Sequence, residues 1–431
     1  MQMRMKLAIG AATLMAAGTA VAAPIYFHAG RLMAVPGQAV RGASTIIVEG
    51  ERIVAVRDGL VPPPAGATLI DLRDKTVLPG LIDSHVHLGS DRGGEAGLLS
   101  FVREEPQMNA LEAQMNGMKT LRAGFTTVRN LGDGGATLAL REAIKRGWVQ
   151  GPRIVDAASS ISTTGGHMDG RGGLNDDLVA HLPSPENLCD GVDSCRKVVR
   201  RQIDRGADVI KFATTGGVNS GTGLATRMNE DEARALIDTA HAYGRKVAVH
   251  AHGADGIKLA LRAGADSIEH GTVMDDEILR MMKKQGTYYV PTLSTVNGYL
   301  ERLAANPNAY APDVKKQIDW RIGITGQSLL KAAPAGVKIA FGTDAGVSKH
   351  GRNADEFELM VKYGMTPVQA IKAATVNAAD LLGLSSEIGT IEPGKSADLI
   401  AVAGDPLADV RVLKSVGFVM ARGDVIQSGS R

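Results

Sequence analysis

The chain has 431 residues, 44% hydrophobic and 22% charged, with 48 basic against 46 acidic side chains and a formal net charge of +2. That balance excludes a disordered chain and provides no charge excess for nucleic acid or an anionic membrane surface. The length accommodates one large domain and one smaller one.

Residues 1–22 read as an export signal. Arg4 and Lys6 precede an apolar stretch rich in small residues from Leu7 to Ala23, and Ala20-Val21-Ala22 supplies an A-x-A cleavage site. The stretch is short and alanine-rich, and no stop-transfer pattern follows, which disfavours a membrane anchor. A periplasmic or secreted protein is expected.

Residues 23–79 hold short β-like runs such as Ser44–Glu49 and Arg52–Val56, separated by polar or Gly/Pro turns. From 80 to 385, apolar strands alternate with amphipathic segments. The expected strands are Leu81–His87, Thr126–Leu131, Arg153–Ala158, Val209–Ala213, Lys246–His252, Ser267–Gly271, Tyr288–Leu293 and Lys338–Thr343. A glycine stops most of the helical segments between them. Eight such repeats predict an α/β fold of the (β/α)8 TIM-barrel type, with a doubly wound open sheet as the alternative. Residues 386–431 return to β runs, Asp398–Val402 and Val416–Ala421. Both ends therefore predict one small β-sandwich domain built from the two termini.

Cys189 and Cys195 are the only cysteines. In an oxidising compartment the turn-like Asp190-Gly191 between them suits a local disulfide, with two unpaired thiols as the alternative.

The chemistry-bearing residues cluster at the C-terminal ends of the expected strands, where barrel enzymes place their sites. His85 and His87 share one face of an extended strand, as i and i+2 side chains must. Two imidazoles offered together make half of a metal site. Lys211, His250, His270 and Asp344 then close strands four, five, six and eight. Each alone has an ordinary structural explanation. Five matched strand ends do not.

This set resembles the amidohydrolase superfamily of metal-dependent hydrolases. The resemblance rests on Leu78-Pro79-Gly80-Leu81-Ile82-Asp83-Ser84-His85-Val86-His87, on Gly342-Thr343-Asp344, and on the stretch from Gly389 to Leu399. Thr163-Thr164-Gly165-Gly166-His167 is similar to the branch of metal-dependent carboxypeptidases and dipeptidases, prolidase-like and ochratoxin-hydrolysing amidases among them. The resemblance implies a site for two divalent metal ions, zinc by preference. One would take His85, His87 and Asp344, and the other His250 and His270. Lys211 would bridge them as a carbamate (N6-carboxylysine). Asp344 would act as general base, and His167 would hydrogen-bond the scissile carbonyl oxygen. A homo-oligomer, of octameric type, is implied as well.

The expected substrate is a dipeptide or N-acyl amino acid that loses its C-terminal residue, with ochratoxin-type amides included. His252 faces the same cavity as His250. Related dipeptidases often carry a tyrosine there to hold the substrate carboxylate, so histidine is a departure. Arg129 fits a bidentate contact to that carboxylate or a structural salt bridge, and His350 fits the cavity mouth or a surface loop. Two rival functions share these residues: a cyclic amidase (imidazolonepropionase-like) or lactonase, and a periplasmic metal-dependent binding protein.

Overall fold

A computed structural model describes residues 23–428, except 93–96, 98, 101–102, 183–184 and 221. The expected export signal lies outside the described residues. Among those described, no helix is long and apolar enough to cross a membrane.

Four strands open the chain: β1 (Ile25–Leu32), β2 (Ser44–Glu49), β3 (Arg52–Asp58) and β4 (Thr68–Pro79). Seven more follow, each separated from the next by at least one helix: β5 (Leu81–Val86), β6 (Phe125–Asn130), β7 (Arg153–Asp156), β8 (Val209–Ala213), β9 (Lys246–Ala251), β10 (Ser267–His270) and β11 (Tyr288–Val290). The last three are β12 (Leu399–Ala403), β13 (Val416–Ala421) and β14 (Asp424–Ser428).

Both ends of the described chain meet in one sheet, ordered β14-β13-β12-β4-β1-β2-β3. The 12-residue β4 joins the halves. It pairs in parallel with β1 from Ile25↔Thr68 to Leu32↔Val77, and antiparallel with β12 from Leu399↔Pro79 to Ala403↔Lys75. The expected sandwich of two sheets is instead a single mixed sheet that curls over its own core. Phe27 on β1 and Phe418 on β13 have two strands between them, which in a flat sheet would separate them by about 14 Å. Their rings stand 5.7 Å apart, with Leu32, Ile46, Val77 and Leu399 buried around them.

Only Gly80 separates β4 from β5, so this sheet passes straight into the central strands. There, every ladder is parallel, in two arcs ordered β5-β6-β7 and β8-β9-β10-β11. Their strands are almost wholly buried because helices cover the outside. Ile257, Ile278 and Leu236 from three of those helices pack with Val247, Val249 and Ile268 in the largest core cluster. Helix ends follow local chemistry. Asn229 and Glu232 form a capping box at the start of Glu230–Ala242, and Gly264 (φ 100°) stops Ala254–Ala263. Cys189 and Cys195 are buried and disulfide-bonded, with Cα atoms 4.8 Å apart.

The eighth expected strand forms no ladder. Single parallel bridges stand at the joins between the arcs: Ile161↔Phe212, Tyr289↔Ile339 and Val86↔Ala345. Residues 338–345 run between β11 and β5 and bond to both. The Tyr289 N–H donates to the Lys338 carbonyl (2.8 Å), the Ser84 N–H to the Phe341 carbonyl (2.8 Å) and the Asp344 N–H to the His85 carbonyl (2.7 Å). Other backbone groups are taken elsewhere. The Phe341 N–H donates to the Ala373 carbonyl (3.0 Å), and the Ile339 carbonyl accepts from Asn377 Nδ2 (2.8 Å). The Thr343 N–H donates to Asp83 Oδ1 at 3.1 Å. Asp83 also accepts from the His85 N–H (3.1 Å), Thr343 Oγ1 (2.6 Å) and Asn353 Nδ2 (2.8 Å). One fully buried carboxylate thus pins β5 to the 338–345 segment. Replacing it leaves several buried donors unpaired, so Asp83→Ala should lose on the order of 3 kcal/mol in denaturant unfolding. A loss below about 1 kcal/mol would show that other contacts hold this joint.

Candidate metal centre

Because the strands are parallel, their C-terminal ends open on one side, around a cavity of about 620 Å³. His85, His87, Lys211, His250, His270 and Asp344 all line it, as do His167 and His252. The strand ends bend sharply here. His270 (φ 70°) and Asp344 (φ 56°) both take left-handed backbone conformations, which non-glycine residues adopt only where the surroundings enforce them.

Two groups of side chains present mutually close donor atoms, all within 4.8 Å of one another: His85, His87 and Asp344 on one side, His250, His252 and His270 on the other. Asp344 Oδ1 lies 3.5 Å from His85 Nε2 and 3.4 Å from His87 Nε2. Lys211 Nζ stands 3.4 Å from His85 Nε2. The far ring nitrogens are already engaged. His85 Nδ1 meets Glu269 Oε2 (2.8 Å), His87 Nδ1 faces the Gly132 carbonyl (3.3 Å), and His270 Nδ1 meets Thr292 Oγ1 (2.7 Å). For His250 the order is reversed: Nε2 faces the Gly216 carbonyl at 3.2 Å, leaving Nδ1. Donation to these outer groups fixes each tautomer with its lone pair inward, as metal-ligating histidines require. The donor set therefore fits divalent cations.

The electrostatics agree. Burial, followed by neighbouring positive groups, holds His85, His250 and His270 well below the usual imidazole range, so each is neutral and able to ligate. Burial lowers Lys211 to about 8, exposing an appreciable neutral-amine fraction. Burial alone would raise Glu269, but the Arg129 guanidinium and the His85 hydrogen bond outweigh it and hold the carboxyl at about 2. Burial raises Asp344, although His87 and Lys211 oppose it.

Two expected substrate contacts are corrected. Arg129 is buried beneath the site, where it donates to Glu269 Oε1 (2.7 Å), Ser267 Oγ (3.1 Å) and the Ser84 carbonyl (2.5 Å). It is the structural ion pair, and it positions the carboxylate behind His85. His350 belongs neither to the mouth nor to a surface loop. It is buried, with Nε2 3.0 Å from the His87 carbonyl and Nδ1 3.3 Å from Thr120 Oγ1, and it props the strand end that carries His87. His252 does face the cavity. Its ring stacks on that of His270 at 4.8 Å, and its Nδ1 meets Thr272 Oγ1 at 2.7 Å.

His167 lies 4.4 Å, ring to ring, from His250, and its Nδ1 is 3.0 Å from Ser220 Oγ. Burial, then the charges of Lys211 and His87, lowers it to about 3, so it is a neutral imidazole. A Cβ on Gly217 would fall 2.0 Å from its Cε1, so the bare glycine backbone leaves the room that the ring occupies. Sequence reasoning missed Glu269, Ser220, Tyr299 and Arg321. Glu269 was the most legible of these, as an acid inside an apolar strand next to a ligand histidine.

The amidohydrolase family pattern matches residues 76–426. Ochratoxinase of Aspergillus niger is 30% identical over 419 residues, spanning 93% of this chain and 85% of that protein. The solved structure of a Xaa-Pro dipeptidase with methionine bound in its active site is 40% identical, with a TM-score of 0.87, over 94% of this chain and 99% of that one. A prolidase solved with N-methylphosphonate-L-proline is 32% identical, with a TM-score of 0.85, over 94% and 100%. The chain belongs to the amidohydrolase family and is a hydrolase of amide bonds.

Proposed function

We propose that this protein is an exported, binuclear metal-dependent carboxypeptidase that releases the C-terminal amino acid from dipeptides or N-acyl amino acids. The observation that carries this reading is the pair of donor groups lining one cavity with Lys211, whose Nζ stands 3.4 Å from His85 Nε2. His85, His87 and Asp344 would hold one zinc ion, His250 and His270 the other, and Lys211 would reach both as a carbamate. The 40% identity to a Xaa-Pro dipeptidase supports a peptide substrate over a cyclic amide or lactone. The basic, alanine-rich N-terminus and the paired cysteines support export.

Bound there, the metals supply Lewis acidity toward the amide carbonyl and lower the pKa of water into the neutral range. The chain's own groups then move the protons. Asp344, raised by burial, accepts the proton of the attacking water and passes it to the leaving amine nitrogen. His167 donates from Nε2 to the carbonyl oxygen as negative charge develops on it. This requires the single Ser220 Oγ proton to go to Nδ1 and not to the Gly217 carbonyl 3.2 Å away, so that Nε2 keeps its hydrogen.

Chelation should abolish hydrolysis of Xaa-Pro, Xaa-Arg, Xaa-Lys and N-acyl-Phe substrates, with zinc restoring it. Zinc-loaded protein that leaves all four intact would remove the carboxypeptidase reading. His167→Asn should lower kcat by about 100- to 1000-fold, the usual effect of losing one oxyanion donor. Gly217→Ala should come close to that loss by displacing the ring, with melting temperature nearly unchanged because a side chain, not backbone, must yield. Full kcat in Gly217→Ala would contradict the role of the His167 position.

A further inference from the structure

Three helices are inserted between β11 and the 338–345 segment, and Arg321 lies on the second, Pro312–Gly323. Its side chain is 3% exposed and lines the cavity. Among the described residues its one hydrogen-bond acceptor is Thr325 Oγ1, 2.9 Å from Nη1. No described carboxylate pairs with it within 4.0 Å. Its Nε and Nη2 have no hydrogen-bond acceptor among the described residues.

The other arginines around the site are committed. Arg129 is paired with Glu269, and Arg92 with Glu104 and Glu112. Arg302 donates to the carbonyls of Asp91 and Gly346. A buried guanidinium without a counter-charge is strongly unfavourable unless a ligand completes it. Its neighbours suit an anion. Tyr299 feels its charge, and burial keeps that hydroxyl protonated. Tyr299 is 4% exposed and lines the cavity, and its hydroxyl has no protein partner among the described residues.

We propose that Arg321 determines specificity by binding the α-carboxylate of the amino acid to be released, with the Tyr299 hydroxyl as a second donor. The planar guanidinium offers a carboxylate two parallel N–H donors, which a lysine does not. The assignment rests on the carboxypeptidase reading above and gives it a physical basis: the enzyme requires a free carboxylate next to the scissile nitrogen. It also places the carboxylate contact on an inserted helix, not on Arg129.

The test compares Ala-Pro with Ala-Pro amide on the zinc-loaded, full-length protein, in wild type, Arg321→Met and Arg321→Lys. The ratio of kcat/KM values does not depend on the fraction of folded enzyme. Wild type should favour the free acid by about 100-fold or more, as expected when a buried charge loses its partner. Arg321→Met should bring the ratio near one, and Arg321→Lys should fall between. Calorimetry with L-proline gives an independent readout, with binding in wild type and none in Arg321→Met. If both variants keep the wild-type preference, Arg321 is not the carboxylate contact and the carboxypeptidase reading survives. If wild type cleaves acid and amide alike, the requirement for a free carboxylate fails and the Arg321 assignment fails with it. If wild type cleaves neither but binds L-proline only with Arg321 in place, the reaction is wrong and the arginine site stands. Neither cleavage nor binding overturns both.

Discussion

Asp83 is the contact on which the site depends. It stands on β5, two residues before His85, and reaches across to Thr343, the residue before Asp344. Its two oxygens receive four donors, which is nearly all that a carboxylate accepts. The pair His85/His87 and the acid Asp344 come from strand ends far apart in sequence, and this carboxylate sets their spacing. Burial raises Asp83 to about 6 despite those bonds, a measure of how dry the joint is. Gly342 serves the same approach, since a Cβ there would fall 2.4 Å from Val290 Cγ1 and 3.0 Å from His85 Cβ.

A second buried acid does the corresponding work from below. Glu269 accepts from Arg129 on one oxygen and meets His85 Nδ1 with the other. Because Arg129 also binds the β5 carbonyl of Ser84, the ligand ring and its strand are fixed by one connected network. Such a network is stabilising only when every member is satisfied, so removing a member affects both fold and site. The left-handed backbone at His270 and Asp344 belongs to the same design. Rigid surroundings hold two candidate ligands in conformations that an isolated chain would avoid.

Much of this was legible in the chain itself. Runs of five to seven residues rich in apolar or β-branched side chains placed β5, β6, β8 and β9 within a residue at either end. That His85, His87, Lys211, His250, His270 and Asp344 would gather around one cavity was legible from strand-end position and residue type. The misses share a cause: they depend on which distant groups meet. Lys338–Thr343 read as a strand, and it does bond to β11 and β5, but side chains of Asp83 and Asn377 take some of the bonds that a regular ladder would have used. Arg129 looked free to meet substrate because its partner Glu269 is 140 positions away. Arg321 had no sequence signal at all. It is an arginine on an amphipathic helix, and only the tertiary placement of that inserted helix turns it inward.

Lys211 is proposed to stand between two metals held by different residues, and anomalous diffraction from crystals grown with zinc tests this directly. Two zinc peaks about 3.5–4 Å apart are expected, one against His85, His87 and Asp344 and the other against His250 and His270, with density extending from Lys211 Nζ to both. A single peak held by His250, His252 and His270, with Lys211 unmodified, would contradict it.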